Sequence, residues 1–98
     1  MDRTAIIEKL RQHEAELKAA GVQHLRLFGS VARGDQSEAS DIDLIADVDP
    51  ARHRTLLTLA RIQNRLSDLL SAKVDLSLAS ALREPIKSRA LREAVLAF

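Results

Sequence analysis

Residues 41–48, with the sequence DIDLIADV, alternate in a way that permits one kind of local structure. The apolar residues at every second position are Ile42, Leu44, Ala46 and Val48. The positions between them hold Asp41, Asp43, Ile45 and Asp47. Because successive side chains of a β-strand point to opposite faces of its sheet, one face of this strand must be buried while the other begins with two carboxylates. The segment therefore predicts a strand in a sheet that has one face covered by other elements.

The rest of the chain supplies elements that can cover such a sheet. Apolar spacing and punctuation predict helices over 3–20 and 51–71, strands over 24–28 and 73–78, and helical turns from residue 80 that are interrupted at Pro85. Residues 95–98 either complete the core or offer Phe98 as an anchor for another chain. The order α-β-β-α-β-α predicts an α/β (α+β) fold, a small mixed β-sheet flanked by helices. The 98 residues are expected to form a single domain, 1–98, because a chain of this size has room for only one core.

Composition excludes several classes of function. The chain has no Cys, which rules out disulfides, thiolate zinc sites and cysteine nucleophiles. It has no Trp or Tyr, two Phe and a formal net charge of +1. It therefore lacks an aromatic platform for stacking bases and the basic excess that binds a phosphate backbone, so direct nucleic-acid binding is not expected. No apolar stretch is long enough to span a membrane, and no apolar signal core follows the N-terminus, which favours a small cytoplasmic protein.

A turn of small residues, GSVARGD at 29–35, follows the first predicted strand. Gly29 allows backbone N–H groups to approach an anion closely, and the hydroxyl of Ser30 adds a donor. If residues 30–33 open a short helix, its N-terminal end also points at that anion. Arg33 can bind a phosphate through two parallel hydrogen bonds. Alone, this pattern is more often an ordinary strand-to-helix turn than a phosphate-binding site, and the residues that follow decide between the two interpretations.

Asp41 and Asp43 project from the same face of the predicted strand, with Cα atoms about 6.6 Å apart. At an effective dielectric constant near 20, the two charges repel by about 2.5 kcal/mol, which a cation between them would relieve. The ligands are hard oxygens with no His or Cys nearby in the sequence, so Mg²⁺ is the natural ion and Mn²⁺ the alternative. Asp75 adds a third carboxylate on the outward face of a later strand. Three carboxylates beside a phosphate-binding turn predict phosphoryl or nucleotidyl transfer with two metal ions.

Residues 29–43 read G-S, ten residues and then D-I-D, which resembles the signature of the DNA polymerase β-like nucleotidyltransferase superfamily. Within it, the run GSVARGDQSEASDIDL is similar to the minimal nucleotidyltransferases, the MNT proteins. The order of the surrounding helices and strands matches as well, so the resemblance covers nearly the whole chain and implies the nucleotidyltransferase fold. It implies that Gly29 and Ser30 hold the phosphates of the nucleotide. Arg33 matches the basic residue of the family's A-R-G segment, and Ser40 matches the small polar residue before the first acid, which makes both nucleotide-binding candidates.

The same resemblance implies the roles of the acidic residues. Asp41 and Asp43 would bind both metal ions. Asp75, in V-D-L, would be the third catalytic acid, which also binds metal and helps to deprotonate the incoming hydroxyl. The implied cofactor is Mg²⁺, as two ions, and the implied nucleotide is ATP.

Members of this family that have this size act as antitoxins beside a HEPN-domain toxin, and the resemblance implies transfer of AMP from ATP to a toxin tyrosine. The chain contains no Tyr, so a tyrosine target must lie on another chain. Two alternatives stay open. One is an antitoxin that neutralises its toxin by binding alone, and the other is nucleotidyl transfer to RNA or to a small-molecule hydroxyl.

Overall fold

The computed structural model describes residues 2–34, 41–49, 51 and 56–98. The helices in these ranges are α1 (Arg3–Gln12), α2 (Glu14–Ala19), α3 (Gly29–Arg33), α4 (Leu56–Leu70) and α5 (Ile86–Glu93). The strands are β1 (Val22–Phe28), β2 (Ile42–Val48), β3 (Val74–Leu78) and β4 (Val95–Leu96), and a 3-10 turn at Ala79–Ala81 follows β3. Within the described ranges, none of the helices is both long and apolar enough to cross a lipid bilayer.

The strands form one mixed sheet in the order β3-β2-β1-β4. β2 is antiparallel to β1 and parallel to β3, and β4 pairs antiparallel with the other side of β1. Helix α4 lies between β2 and β3 in the chain, as the crossover between two parallel neighbours requires. The predicted α/β (α+β) fold, a small mixed sheet flanked by helices, is confirmed.

One face of the sheet carries the main hydrophobic core. The strands contribute alternate residues to it: Leu25 and Leu27 from β1, and Ile42, Leu44, Ala46 and Val48 from β2. Helices α1 and α4 supply Ile6, Leu10, Ile62, Leu66 and Leu70. The four-residue spacing of these contacts within each helix places them on one side of it. The face of β2 that the sequence predicts to be buried is the buried one, so Asp43 projects from the opposite face.

The helix predicted over 3–20 is wrong as a single element, because it breaks at His13. The backbone of His13 leaves the helical region (φ −110°, ψ 15°), and its N–H bonds to the carbonyl of Leu10 rather than to that of Lys9. The Lys9 carbonyl instead lies 3.0 Å from Nδ1 of the His13 ring, which donates to it in the tautomer protonated there. A side chain that competes for a backbone acceptor in this way ends one helix and starts another.

A second, smaller hydrophobic cluster covers part of the opposite face of the sheet. It consists of buried Ile45 of β2, Ala79 of the 3-10 turn and Ala90 of α5, with Phe28 and Leu91 packed against them. Helix α5 therefore lies over the middle of β2, on the same face as Asp43. The sequence did not predict this cover, because Ile45 is a single apolar residue among acids.

The C-terminal residues complete the core rather than standing free. Ala97 is fully buried, and its N–H donates to the carbonyl of Leu25 at 2.8 Å. The carbonyl of Ala97 accepts a hydrogen bond from Nε of Arg11 at 2.7 Å, and Phe98 packs against the main core. The sequence left two roles open for residues 95–98, completion of the core or an anchor for another chain. The structure shows that they complete the core and add β4 to the sheet.

Candidate active site

The junction between β1 and α3 brings the backbone into contact with an acidic side chain. Phe28 ends β1 in an extended conformation, and Gly29 then takes φ +74°, which favours glycine. A Cβ atom placed on Gly29 would lie 3.3 Å from Cγ of Asp43 and would collide with its Oδ2. Only a residue without a side chain can approach the carboxylate this closely. The residues after β1 do form a short helix, α3, and Ser30 is its second residue.

The register of the two parallel strands pairs Asp43 directly with Asp75. Neighbouring strands lie about 4.8 Å apart, so side chains at paired positions emerge side by side on the same face. Asp43 is partly buried and Asp75 is exposed. Asp41 lies just before β2, two residues from Asp43, and is also exposed. The structure therefore places the three predicted acids at one end of the β2–β3 pair.

Electrostatics show that these groups act on one another. The pKa of Asp43 is raised above its ordinary value, first because burial disfavours the charged form, then because of the negative charges of Asp75 and Asp41. The positive charge of Arg33 acts in the opposite direction and lowers it. The charges of two carboxylates and one guanidinium thus converge on Asp43, and the net balance is unfavourable for its ionised form.

Two other acids on this face, Asp41 and Asp47, have cationic neighbours. Asp47 accepts a hydrogen bond from Nη1 of Arg26 at 2.8 Å. Asp41 lies 3.9 Å from Nζ of Lys73, the residue just before β3. Asp47 therefore has a structural partner in a cross-strand ion pair, whereas Asp43 lies beside the carboxylate of Asp75.

The donor chemistry of this end of the sheet fits a hard divalent cation. Carboxylate oxygens are the ligands that Mg²⁺ and Mn²⁺ prefer. The pKa of Asp43 is raised first by burial and then by the negative charges of Asp75 and Asp41, and a bound cation would oppose both effects. As they stand, no three Asp, Glu or His side chains in the part of the chain that the structure describes are drawn together into a preassembled metal site. The residues that could hold a cation here are Asp43 and Asp75, with Asp41 beside them.

The remaining predicted residues differ in what the structure says of them. Arg33 is exposed at the C-terminal end of α3, close enough to influence the pKa of Asp43. Ser40 lies outside the described residues. Sequence reasoning missed Lys73 as a neighbour of this site, although one signal was present. In the segment KVDLSL, Lys73 falls two positions before Asp75 and therefore on the same face of the strand.

Comparison with known proteins identifies the class to which this fold and site belong. The nucleotidyltransferase domain family matches residues 7–97, and the chain belongs to that family. It is therefore a nucleotidyltransferase, and the resemblance to the minimal nucleotidyltransferases is confirmed.

Two relatives within the nucleotidyltransferases are named protein adenylyltransferases. A candidate protein adenylyltransferase of Methanocaldococcus jannaschii is 41% identical over 90 residues, which cover 90% of this chain and 89% of the relative. Protein adenylyltransferase MntA of Thermococcus cleftensis is 36% identical over 87 residues, which cover 88% and 86%. The chain thus matches nearly the full length of proteins that are named as enzymes.

Solved structures agree with this assignment. A structure of a candidate minimal nucleotidyltransferase superposes with a TM-score of 0.83 at 34% identity, covering 97% of this chain and 95% of that one. Two more distant matches share the fold. One is a toxin–antitoxin complex with AMP-PNP (TM-score 0.70, 21% identity, 100% of this chain and 73% of that one). The other is a tri-AMPylated HEPN toxin of Shewanella oneidensis in complex with an MNT antitoxin (TM-score 0.68, 16% identity, 98% and 71%).

Proposed function

We propose that this chain is an antitoxin that transfers AMP from ATP to a hydroxyl group of a HEPN-domain toxin in a reaction that depends on Mg²⁺. The names of the relatives support adenylyl transfer to protein. The related complexes between MNT antitoxins and HEPN toxins support the kind of partner, and one of them contains an AMPylated toxin. The AMP-PNP in another related complex supports ATP as the nucleotide. The place of action is the cytoplasm, which contains ATP.

The observation that carries the proposal is the pairing of Asp43 with Asp75 beside the backbone of Gly29. The carboxylates of two neighbouring strands thus lie next to the turn after β1. The residue of that turn that comes closest to Asp43 is Gly29, which has no side chain. Phosphates and hard cations are the ligands that such a combination suits.

Each residue then has a defined task. Gly29 and Ser30 hold the phosphates through backbone and hydroxyl donors, and Arg33 adds a charge-assisted hydrogen bond. Ser40 is a further nucleotide-binding residue of the proposal. Because Arg33 is exposed, its guanidinium is accessible to a bound nucleotide.

The acids hold the ions and receive the proton. Asp41, Asp43 and Asp75 would bind two Mg²⁺ ions, which supply charge neutralisation at the polyphosphate and at the acceptor oxygen. In the transfer, the acceptor oxygen bonds to the α-phosphorus of ATP, and the bond from that phosphorus to the bridging oxygen breaks. Pyrophosphate leaves, and the acceptor proton passes to the carboxylate of Asp75. Asp75 is exposed, so a hydroxyl on another chain can reach it.

The acceptor that we propose is a tyrosine of the partner. The sequence has no Tyr of its own, so a tyrosine acceptor has to come from a second protein. A phenolic hydroxyl is also a better acceptor than a serine hydroxyl for a carboxylate base, because its pKa is near 10.

Intact-mass spectrometry tests the proposal. The protein is incubated with Mg²⁺, ATP and the HEPN-domain protein encoded beside it, and toxicity is assayed in parallel. The expected result is a partner mass increased by whole AMP units and loss of its toxicity. Both should disappear in the double variant Asp41→Asn/Asp43→Asn and persist in Asp47→Asn, whose carboxylate belongs to the ion pair with Arg26. Full neutralisation by the double variant without a mass change would establish binding alone. A mass increase of AMP units on RNA or on a small molecule, with the partner unmodified, would establish a different acceptor.

A further inference from the structure

Lys73 occupies a fixed position at the edge of the proposed active site. Its carbonyl accepts a hydrogen bond from the N–H of Ile42 at 2.9 Å, which attaches its backbone to the start of β2. The pairing of Ile42 with Val74 puts Lys73 opposite Asp41, one step before the paired strands begin. The same alternation puts Lys73 on the face that carries Asp75. Three carboxylates and one ammonium group thus share this end of the β2–β3 pair.

The side chain of Lys73 is held only loosely. This side chain is 82% exposed, and within the described ranges it forms an ion pair with Asp41 that spans 3.9 Å. An exposed pair of this length contributes little to stability, and the four-carbon stem leaves the ammonium free to move. A role for this ion pair in stabilising the fold is therefore poorly supported by its geometry.

The same contact becomes less favourable when the site holds a divalent cation. Once Asp41 helps to hold a divalent cation, an ammonium group on the same carboxylate would face a second positive charge at close range. The polyphosphate of the nucleotide brings several negative charges to the same end of the sheet. Lysine is a common point-charge ligand of phosphate. The ammonium then has a better anion within reach than the carboxylate that it leaves.

We infer that Lys73 binds the polyphosphate of the nucleoside triphosphate and thereby positions it over the acidic residues. This inference rests on the proposed function of the site. Arg33 approaches from α3, on the β1–β2 side of Asp43, while Lys73 stands beside the edge strand β3. The two cations therefore flank the acids from opposite sides. A triphosphate bound between them would have its charge neutralised at both ends.

The test measures binding of an ATP analogue with a methylene group between the α- and β-phosphates, in the presence of Mg²⁺ and without any acceptor. Lys73→Met keeps the length of the side chain and removes its charge. Loss of a charge-assisted hydrogen bond is expected to weaken binding of the analogue by about tenfold or more. Binding of AMP should change much less. Lys73→Arg should restore most of the affinity, and the salt dependence of binding should be smaller in Lys73→Met than in the wild type.

Lys18→Met is the matched control. Lys18 also forms an exposed ion pair, with Glu14 at 2.7 Å, but lies near the start of β1 at the opposite end of the sheet. The affinity of the Lys18→Met variant for the analogue should equal that of the wild type. Equal affinity in Lys73→Met, or tighter binding of Mg²⁺ without weaker binding of the analogue, would mean that Lys73 only screens Asp41 and would overturn the inference. Wild-type protein that binds the analogue but transfers no AMP to its partner would remove the proposed function and leave this inference standing.

Discussion

Asp43 and Asp75 lie at paired positions of the neighbouring parallel strands β2 and β3, so their side chains emerge from the same face of the sheet. Asp43 also meets the backbone of Gly29, so the carboxylate has a second acid on one side and a glycine on another. Burial, followed by the negative charges of Asp75 and Asp41, raises the pKa of Asp43. The ionised form of Asp43 is therefore disfavoured in the folded chain when no cation is bound, a feature that is common at functional sites.

The first prediction concerns stability in the absence of divalent ions. The pKa of Asp43 is higher in the folded chain than its ordinary value of 3.8. The contribution of this group to folding is therefore fully present below pH 3.8 and is lost as the pH rises through the folded-state pKa. The side chain of the Asp43→Asn variant cannot ionise. Its melting temperature at neutral pH, measured by calorimetry in EDTA, should therefore be higher than that of the wild type. Each kcal/mol gained would appear as about 4–8 °C.

A matched variant gives this experiment a reference. Asp47→Asn removes a carboxylate from the same strand but breaks the ion pair with Arg26, so its melting temperature at neutral pH should fall slightly or stay unchanged. If Asp43→Asn melted below Asp47→Asn under these conditions, the repulsion around Asp43 would not exist as described.

The second prediction concerns added Mg²⁺. A ligand that binds only the folded state stabilises it, by about 1.4 kcal/mol at ten times its dissociation constant. MgCl₂ should therefore raise the melting temperature of the wild type more than an equal ionic strength of NaCl. The effect should be lost in both Asp43→Asn and Asp75→Asn. An equal Mg²⁺ effect in all three proteins would argue for binding elsewhere on the chain.

The third prediction uses two glycines that share a backbone conformation. Gly29 has φ +74° and Gly34 has φ +78°, so alanine at either position should cost about 1–2 kcal/mol of backbone strain. A Cβ on Gly34 would meet no atom of the described part of the chain within 4 Å, whereas one on Gly29 would collide with Asp43. Both variants should be similarly destabilised by strain, but Gly29→Ala should also lose nucleotide binding. Titration with the methylene analogue of ATP measures this loss, and equal affinity in the two variants would show that the contact with Asp43 is not part of the site.

The fourth prediction tests the last strand. Ala97 is fully buried in the main core, so Ala97→Leu should destabilise the domain by about 1–3 kcal/mol through overpacking. Leu96→Ala, next to it, changes a side chain that is 49% exposed and should cost much less. Urea unfolding followed by circular dichroism measures both. Similar midpoints for the two variants would contradict the placement of β4.

The sequence predicts the part of the fold that strict periodicity specifies. The alternation over 41–48 predicts which face of β2 is buried, and the G-S and D-I-D pattern predicts Gly29, Asp41 and Asp43 as site residues. The register that pairs Asp43 with Asp75 could not be derived in the same way. It depends on how β3 aligns with β2 after the α4 crossover, and no local pattern determines that alignment.

The features that were missed arise from tertiary contacts or from single side chains. Ile45 is buried because α5 packs over it, and His13 ends a helix through one hydrogen bond of its own ring. Strand β4 has only two residues, too few for an alternating pattern to be recognised. The position of Lys73 opposite Asp41 follows from the pairing of β2 with β3, which the sequence alone does not give. In each case the deciding partner is distant in sequence or belongs to the backbone.

The central claim is that the acid pair on β2 and β3 performs adenylyl transfer, and the rate of AMP transfer by Asp75→Asn tests it most directly. Initial rates are measured with radiolabelled ATP, Mg²⁺ and the HEPN-domain partner at saturating concentrations, for the wild type, Asp75→Asn and the control Asp47→Asn. Removal of the proposed proton acceptor should lower the rate by about 10²–10⁴-fold, while Asp47→Asn should keep a rate close to that of the wild type. Wild-type rates in Asp75→Asn, with the partner still labelled, would contradict the account.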